Sequence, residues 1–182
     1  MRVSEHPLSR LPWFLRPFFW LQRRRWGQVL VPALTWARLP RAYLSLLAFQ
    51  SAFERRDSPL APALRSLLQV RIAQLVQCSF CIDLNAALLA ERSRSMDKAQ
   101  ALDRWRDDAL FSERERIALA YAEAMTTGAV DDSLAARVRG EFGETAMVEL
   151  TGLIAFQNMS ARFNAALDLP SQGFCRLPSP PR

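Results

Sequence analysis

The chain has 182 residues, is 50% hydrophobic and contains only six glycines, which excludes a disordered segment and suits one domain with a substantial core. The formal charge of +6 is unevenly placed: residues 1–60 hold ten arginines against Glu5, Glu54 and Asp57, while residues 61–182 carry 14 basic and 15 acidic side chains. A basic arm on a neutral body is not a uniformly basic nucleic-acid binder.

Residues 1–39 form that arm, with Trp13, Phe14, Phe18, Phe19, Trp20, Trp26 and Trp36 around the cluster Arg23-Arg24-Arg25. Pro7, Pro12 and Pro17 break its apolar stretch, and the arginines follow the apolar residues instead of preceding them, so no signal peptide is expected. No run approaches the ~18 apolar residues that would span a bilayer, and a cytoplasmic protein is expected. Aromatics beside arginines suit a membrane-surface helix or a nucleic-acid groove, or they pack on the domain or a second subunit. Packing is the expected role. No nucleic acid is expected, because the body offers no basic face to extend a groove.

Residues 40–170 read as a helical domain and residues 171–182 as a tail. Pro40 suits a first helical turn, and Asp57-Ser58-Pro59 reads as the turn that ends that helix. Residues 61–77 place Leu64, Leu67, Leu68, Ile72, Leu75 and Val76 in a one-sided apolar stripe. Cys78-Ser79-Phe80-Cys81 leads into another helix. A shorter helix is predicted over residues 96–106. Ser112 and Glu115 form a capping box for a helix closed by Gly128. Asp131-Asp132 starts the next, and a long helix follows over residues 145–168, stopped by Pro170. Ala, Leu, Arg and Glu abound and period-2 alternation is rare. The expected class is all-α, with seven or eight helices.

Three cysteines, at positions 78, 81 and 175, are too few and too odd in number for a disulfide framework. Two cysteines three apart at a helix start can meet as thiols or as a disulfide, and the helix N-terminus stabilises a thiolate there. Such a thiolate attacks peroxides and disulfides, and its neighbour resolves the product. The alternatives are core filling and zinc. Zinc needs four ligands, and beyond the pair only Cys175 and His6 are on offer, neither at ligand spacing. No metal and no cofactor is expected. A thioredoxin-like setting is excluded, since no strand precedes the pair.

The run of residues 70–85, VRIAQLVQCSFCIDLN, resembles the core motif of AhpD-like proteins in the carboxymuconolactone decarboxylase superfamily. There a helix leads into CxYC or CxFC, then an Asp and usually a His. Residues 105–126, WRDDALFSERERIALAYAEAMT, and 156–167, FQNMSARFNAAL, are similar to two further segments of that family in the same order. The resemblance implies an all-helical domain that assembles as dimers, trimers or hexamers. It also implies alkylhydroperoxidase or disulfide-reductase chemistry, in which Cys81 attacks, Cys78 resolves, and a Glu, a Tyr and a His relay protons. The decarboxylase that lends the superfamily its name lacks the cysteine pair, so lactone decarboxylation is not expected.

The chain departs from that pattern where the relay should be: the His position is Asn85, the Tyr position is Phe80 and the Glu position is Ser66. Asn85 cannot titrate near neutral pH and cannot serve as a general base. Glu149 is a candidate substitute. The expected activity is therefore a slow thiol–disulfide oxidoreductase or alkylhydroperoxidase-like reaction on a small hydroperoxide or disulfide, recharged by a cellular thiol reductant. Two other readings stay open: an oligomeric interaction or redox-sensing protein, and a membrane-peripheral adaptor using the arm. Among supporting residues, Asp83 either polarises the site or complements the helix dipole. Cys175 is a tail thiol, or a third sulfur if the tail folds back over the pair. Asn158 and Arg162 share a helix face expected to make subunit contacts.

Overall fold

A computed structural model describes residues 1–4, 7 and 11–175. Its nine α-helices are α1 (Arg16–Trp26), α2 (Val31–Trp36), α3 (Pro40–Phe53), α4 (Pro62–Leu75), α5 (Ser79–Ser93), α6 (Asp97–Gln100), α7 (Glu113–Thr127), α8 (Asp132–Phe142) and α9 (Glu144–Ala166). Short 3-10 turns lie at Trp13–Leu15 and Leu102–Arg104, and no strand occurs among the described residues. The all-α expectation holds, with two helices in the arm that the sequence reading did not separate. His6 lies outside the described residues.

Helix α4 is the centre of the molecule, packed against α5, α7 and α9. The one-sided stripe expected for it is corrected here. Leu64, Leu67, Leu68, Val70 and Ile72 are buried together with Arg65, Ser66 and Gln69, because neighbours surround the helix on nearly every side. The helix expected over residues 96–106 is also corrected, into α6 and the separate 3-10 turn, whose Ala101, Leu102 and Trp105 drop into the main core. Trp105 donates its indole N–H to Glu123 at 2.9 Å. At α7 the Ser112–Glu115 capping box forms as its chemistry requires. Asp131 caps α8 through the backbone N–H of Leu134 at 2.8 Å.

Three apolar clusters result. The largest unites α4, α5, α7 and α9. The second belongs to the arm, where Leu11, Leu15, Phe19, Ala33 and Ala37 gather on Tyr43 of α3. The third surrounds the cysteine pair with Ala73, Phe80, Ile82 and Ala161. Trp36 stacks on Phe163 of α9 at 4.0 Å between ring centroids, which seats α2 against the final helix. Trp13, Trp20 and Leu21 on the outer face of the arm stay exposed.

Candidate active site

The turn between α4 and α5 sets the site. Gln77 adopts the left-handed conformation (φ 59°). Its N–H donates to Gln74 O at 3.1 Å, and the next N–H, of Cys78, donates to Ala73 O at 2.9 Å. This pair of bonds is a Schellman closure of α4. It delivers Cys78 directly to the N-cap of α5, where its sulfur accepts the backbone N–H of Cys81 at 3.2 Å. Cys81 thus stands in the first turn of α5. The two cysteines form a disulfide with their Cα atoms 5.3 Å apart. Both are buried.

Only one of the two sulfurs belongs to a residue lining the neighbouring cavity, which holds about 120 Å³: Cys81 contributes to its wall and Cys78 does not. Asn164 of α9 donates through Nδ2 to Cys81 Sγ at 3.2 Å. The rest of the wall is a set of carboxamides and apolar rings. Gln22, Gln69, Asn85 and Gln157 contribute polar groups, while Trp36, Tyr43, Phe80 and Phe156 supply aromatic surface. No carboxylate, imidazole, ammonium or guanidinium is among the lining residues. Gln157 Nε2 and Asn164 Oδ1 are buried without a hydrogen-bond partner. Tyr43 is pushed up to about 12 by burial, against a weaker opposing effect of the bond from Gln22.

Of the residues named from sequence, Cys81, Phe80 and Asn85 meet at this cavity. Asp83, on the same helix, faces the other way. Its carboxylate accepts the Ser171 hydroxyl at 2.8 Å and the N–H groups of Gln172, Gly173 and Cys175 at 2.8, 2.7 and 2.6 Å. Burial works to raise its pKa, but the N–H of Cys175, the Ser171 hydroxyl and the N–H groups of Phe174 and Gln172 outweigh it and hold the carboxyl below its ordinary value. The tail so captured turns back over the pair. Phe174 meets Phe80 edge-on at 6.4 Å and Trp26 at 5.2 Å. The Cys175 side chain packs against the main core. Gln172 ties tail to arm, accepting from Val31 N–H at 2.8 Å and donating to Gln28 Oε1 and Val29 O at 3.0 Å each.

Glu149 is removed as a relay candidate. It is buried between Arg55 and Ser58, and it precedes Asn164 on α9 by about 22 Å of helix at 1.5 Å per residue. Ser66 likewise lies off the cavity, accepting from Arg92 at 3.0 Å, and Gln69 one turn on lines it instead. Asn158 and Arg162 reach Thr126 of the same chain, at 2.9 and 3.0 Å, and tie α9 to the end of α7. Sequence reasoning missed Tyr43, Gln22, Gln69 and Gln157. Of these only Gln157 lies inside one of the three segments quoted from the sequence, residues 156–167.

The described residues thus form an all-helical domain with a cystine at a helix start and a cavity at one of its sulfurs. The chain belongs to the carboxymuconolactone decarboxylase family, whose pattern matches residues 33–124. It is 48% identical over 174 residues to YnjA of Escherichia coli (strain K12), covering 94% of this chain and 96% of that one. Among solved structures it is similar to an AhpD-core, peroxidase-related protein from Ralstonia eutropha JMP134. That likeness has a TM-score of 0.86 at 21% identity and covers 95% of this chain and 93% of that chain. The debrominase Bmp8 has the same fold, with a TM-score of 0.82, 20% identity and coverage of 94% and 92%.

Proposed function

We propose that the chain is a dithiol oxidoreductase in which Cys81 attacks a small organic hydroperoxide and Cys78 resolves the product. The observation that carries this reading is the cavity wall: it includes Cys81 and excludes Cys78. In the disulfide Asn164 Nδ2 donates to Cys81 Sγ, and in the reduced protein the helix dipole at the first turn of α5 favours a thiolate at the same sulfur. The thiolate attacks the terminal peroxide oxygen, an S–O bond forms, the O–O bond breaks, and an alcohol leaves after protonation. Cys78 then displaces water from the sulfenic acid to give the Cys78–Cys81 disulfide. A cellular thiol supplies the two electrons that reopen it.

The test is the thiol count of reduced protein before and after one equivalent of tert-butyl hydroperoxide. Wild type loses two thiols. Cys78→Ser leaves a dimedone-trappable sulfenic acid at Cys81, and Cys81→Ser loses its reactivity. An unchanged wild-type count, or a trapped sulfenic acid at Cys78, overturns the assignment.

A further inference from the structure

The family's relay positions hold Phe80, Asn85 and Ser66, yet a proton must still reach the leaving oxygen. Tyr43 of α3 and Cys81 of α5 line the same cavity. The phenol is held from two sides. Its ring lies parallel to Phe19, 6° between planes and 6.1 Å between centroids, and Gln22 Nε2 donates to its oxygen at 3.2 Å. The direction of that second bond is determined. Gln22 Oε1 accepts the backbone N–H of Leu30 at 3.1 Å, so the amide must present its NH₂ to the phenol. The Tyr43 hydroxyl proton is therefore not used in holding the ring, and it is donated to no described residue.

Two residues of the same wall, Gln157 and Asn164, each hold a buried polar atom, Nε2 and Oδ1, with no hydrogen-bond partner among the described residues. These residues are seven apart on α9, two turns along one face. With the Tyr43 hydroxyl, these wall residues hold two spare donors and one spare acceptor. A hydroperoxide presents the complement: one O–H donor and two acceptor oxygens. Among the described residues no charged group lines the cavity to compete for the proton.

We infer that Tyr43, positioned by Gln22, is the general acid of the peroxide step and protonates the oxygen that leaves Cys81. This rests on the reading of Cys81 as the attacking sulfur. The Cys81 thiolate bonds to the terminal oxygen, the O–O bond breaks, and the departing alkoxide takes the Tyr43 proton to become an alcohol. The phenolate recovers its proton from solvent, to which the Cys78 thiol loses its own. The resulting thiolate attacks the Cys81 sulfenic acid, and the released hydroxide picks up a proton from solvent as water. Two thiols and one hydroperoxide become a disulfide, an alcohol and water. A buried phenol at about 12 stays protonated at neutral pH and remains a stronger acid than an alcohol, whose pKa lies near that of water at about 15.7.

The experiment follows thiol loss in the reduced wild type and Tyr43→Phe with two oxidants. An alkoxide leaving from tert-butyl hydroperoxide needs the proton; acetate leaving from peracetic acid does not. Tyr43→Phe is expected to slow the alkyl hydroperoxide by about 10²-fold or more and to leave the peracetic acid rate unchanged. Gln22→Leu, which frees the hydroxyl but keeps it, is expected to show the same selectivity at smaller size. Equal slowing of both oxidants by Tyr43→Phe, or no slowing of either, overturns the assignment. A wild type inert to both oxidants removes the reading of Cys81 as well. A reactive wild type matched by its variant removes Tyr43 alone.

Discussion

Helix α5 faces two polar surroundings that differ in one respect. Asp83 is buried and fully matched: four donors from residues 171–175 reach its two oxygens. On the cavity side the polar atoms are just as buried, yet Gln157 Nε2 and Asn164 Oδ1 have no partner among the described residues. Desolvation costs free energy in both places, and only at Asp83 is it offset within the protein. The matched carboxylate serves the fold by closing tail and arm over the pair. The unmatched carboxamides belong to the wall of the cavity that Cys81 also lines.

The largest effect should come from breaking the matched side. Asp83→Ala removes the acceptor for four donors and is expected to cost about 2–3 kcal/mol, the range for hydrogen bonds to a charged group. The loss should be concentrated in the tail, read as faster proteolysis between residues 171 and 175 and a lower melting temperature. Unchanged protection would mean that Phe174 and Gln172 hold the tail without the carboxylate. The same contact has a pH signature. The folded pKa of Asp83 lies below its unfolded value of about 3.9, so its contribution is fully present above that value. It declines as pH falls below about 4 and through the lower folded pKa. Tail protection should therefore be flat across neutral pH and fail only in acid, and the acid step should vanish in Asp83→Ala.

The converse substitution sharpens the contrast. Gln157→Leu replaces an unpartnered buried amide with an apolar side chain of similar size, so it is expected to be neutral or to stabilise by up to about 1 kcal/mol. Reaction with tert-butyl hydroperoxide should slow by roughly tenfold, the worth of one hydrogen bond of about 1.4 kcal/mol. Chemical denaturation and thiol-loss kinetics on one preparation check both halves. A destabilisation as large as that of Asp83→Ala would erase the distinction between the two sides.

How much of this was legible in the sequence follows the range of the forces involved. The Ser112–Glu115 box, the Asp131 cap and the place of Cys78 and Cys81 at a helix start are written in residues three apart, and local chemistry suffices to read them. The extent of burial around α4 is not local: a stripe seen in one segment cannot tell how many neighbours will cover its other faces. The sulfurs were legible for the same reason as the caps. Tyr43, Gln22 and Gln69 were not, because carboxamides and phenols from α1, α3 and α4 become one cavity only when the helices pack. Phe80, Ser66 and Asn85 occupy the positions where the family resemblance calls for a titrating group. The phenol that shares the cavity enters from α3, outside the three segments read from the sequence.

The smallest predicted effect concerns the turn that serves both sides. Gln77 is exposed and held at φ 59°, a conformation that an L-residue adopts at a cost of roughly 1–2 kcal/mol and glycine adopts freely. Glycine also loses more chain entropy on folding, which takes back part of the gain. Gln77→Gly is therefore expected to raise stability by about 0.5–1 kcal/mol in the Schellman turn. Because the Cys78 and Gln77 backbone bonds stay in place, peroxide reactivity and tail protection should both be unchanged. A gain in stability with altered thiol kinetics would mean that the strain at Gln77 is felt at Cys78, and the turn would then belong to the chemistry as well as to the fold.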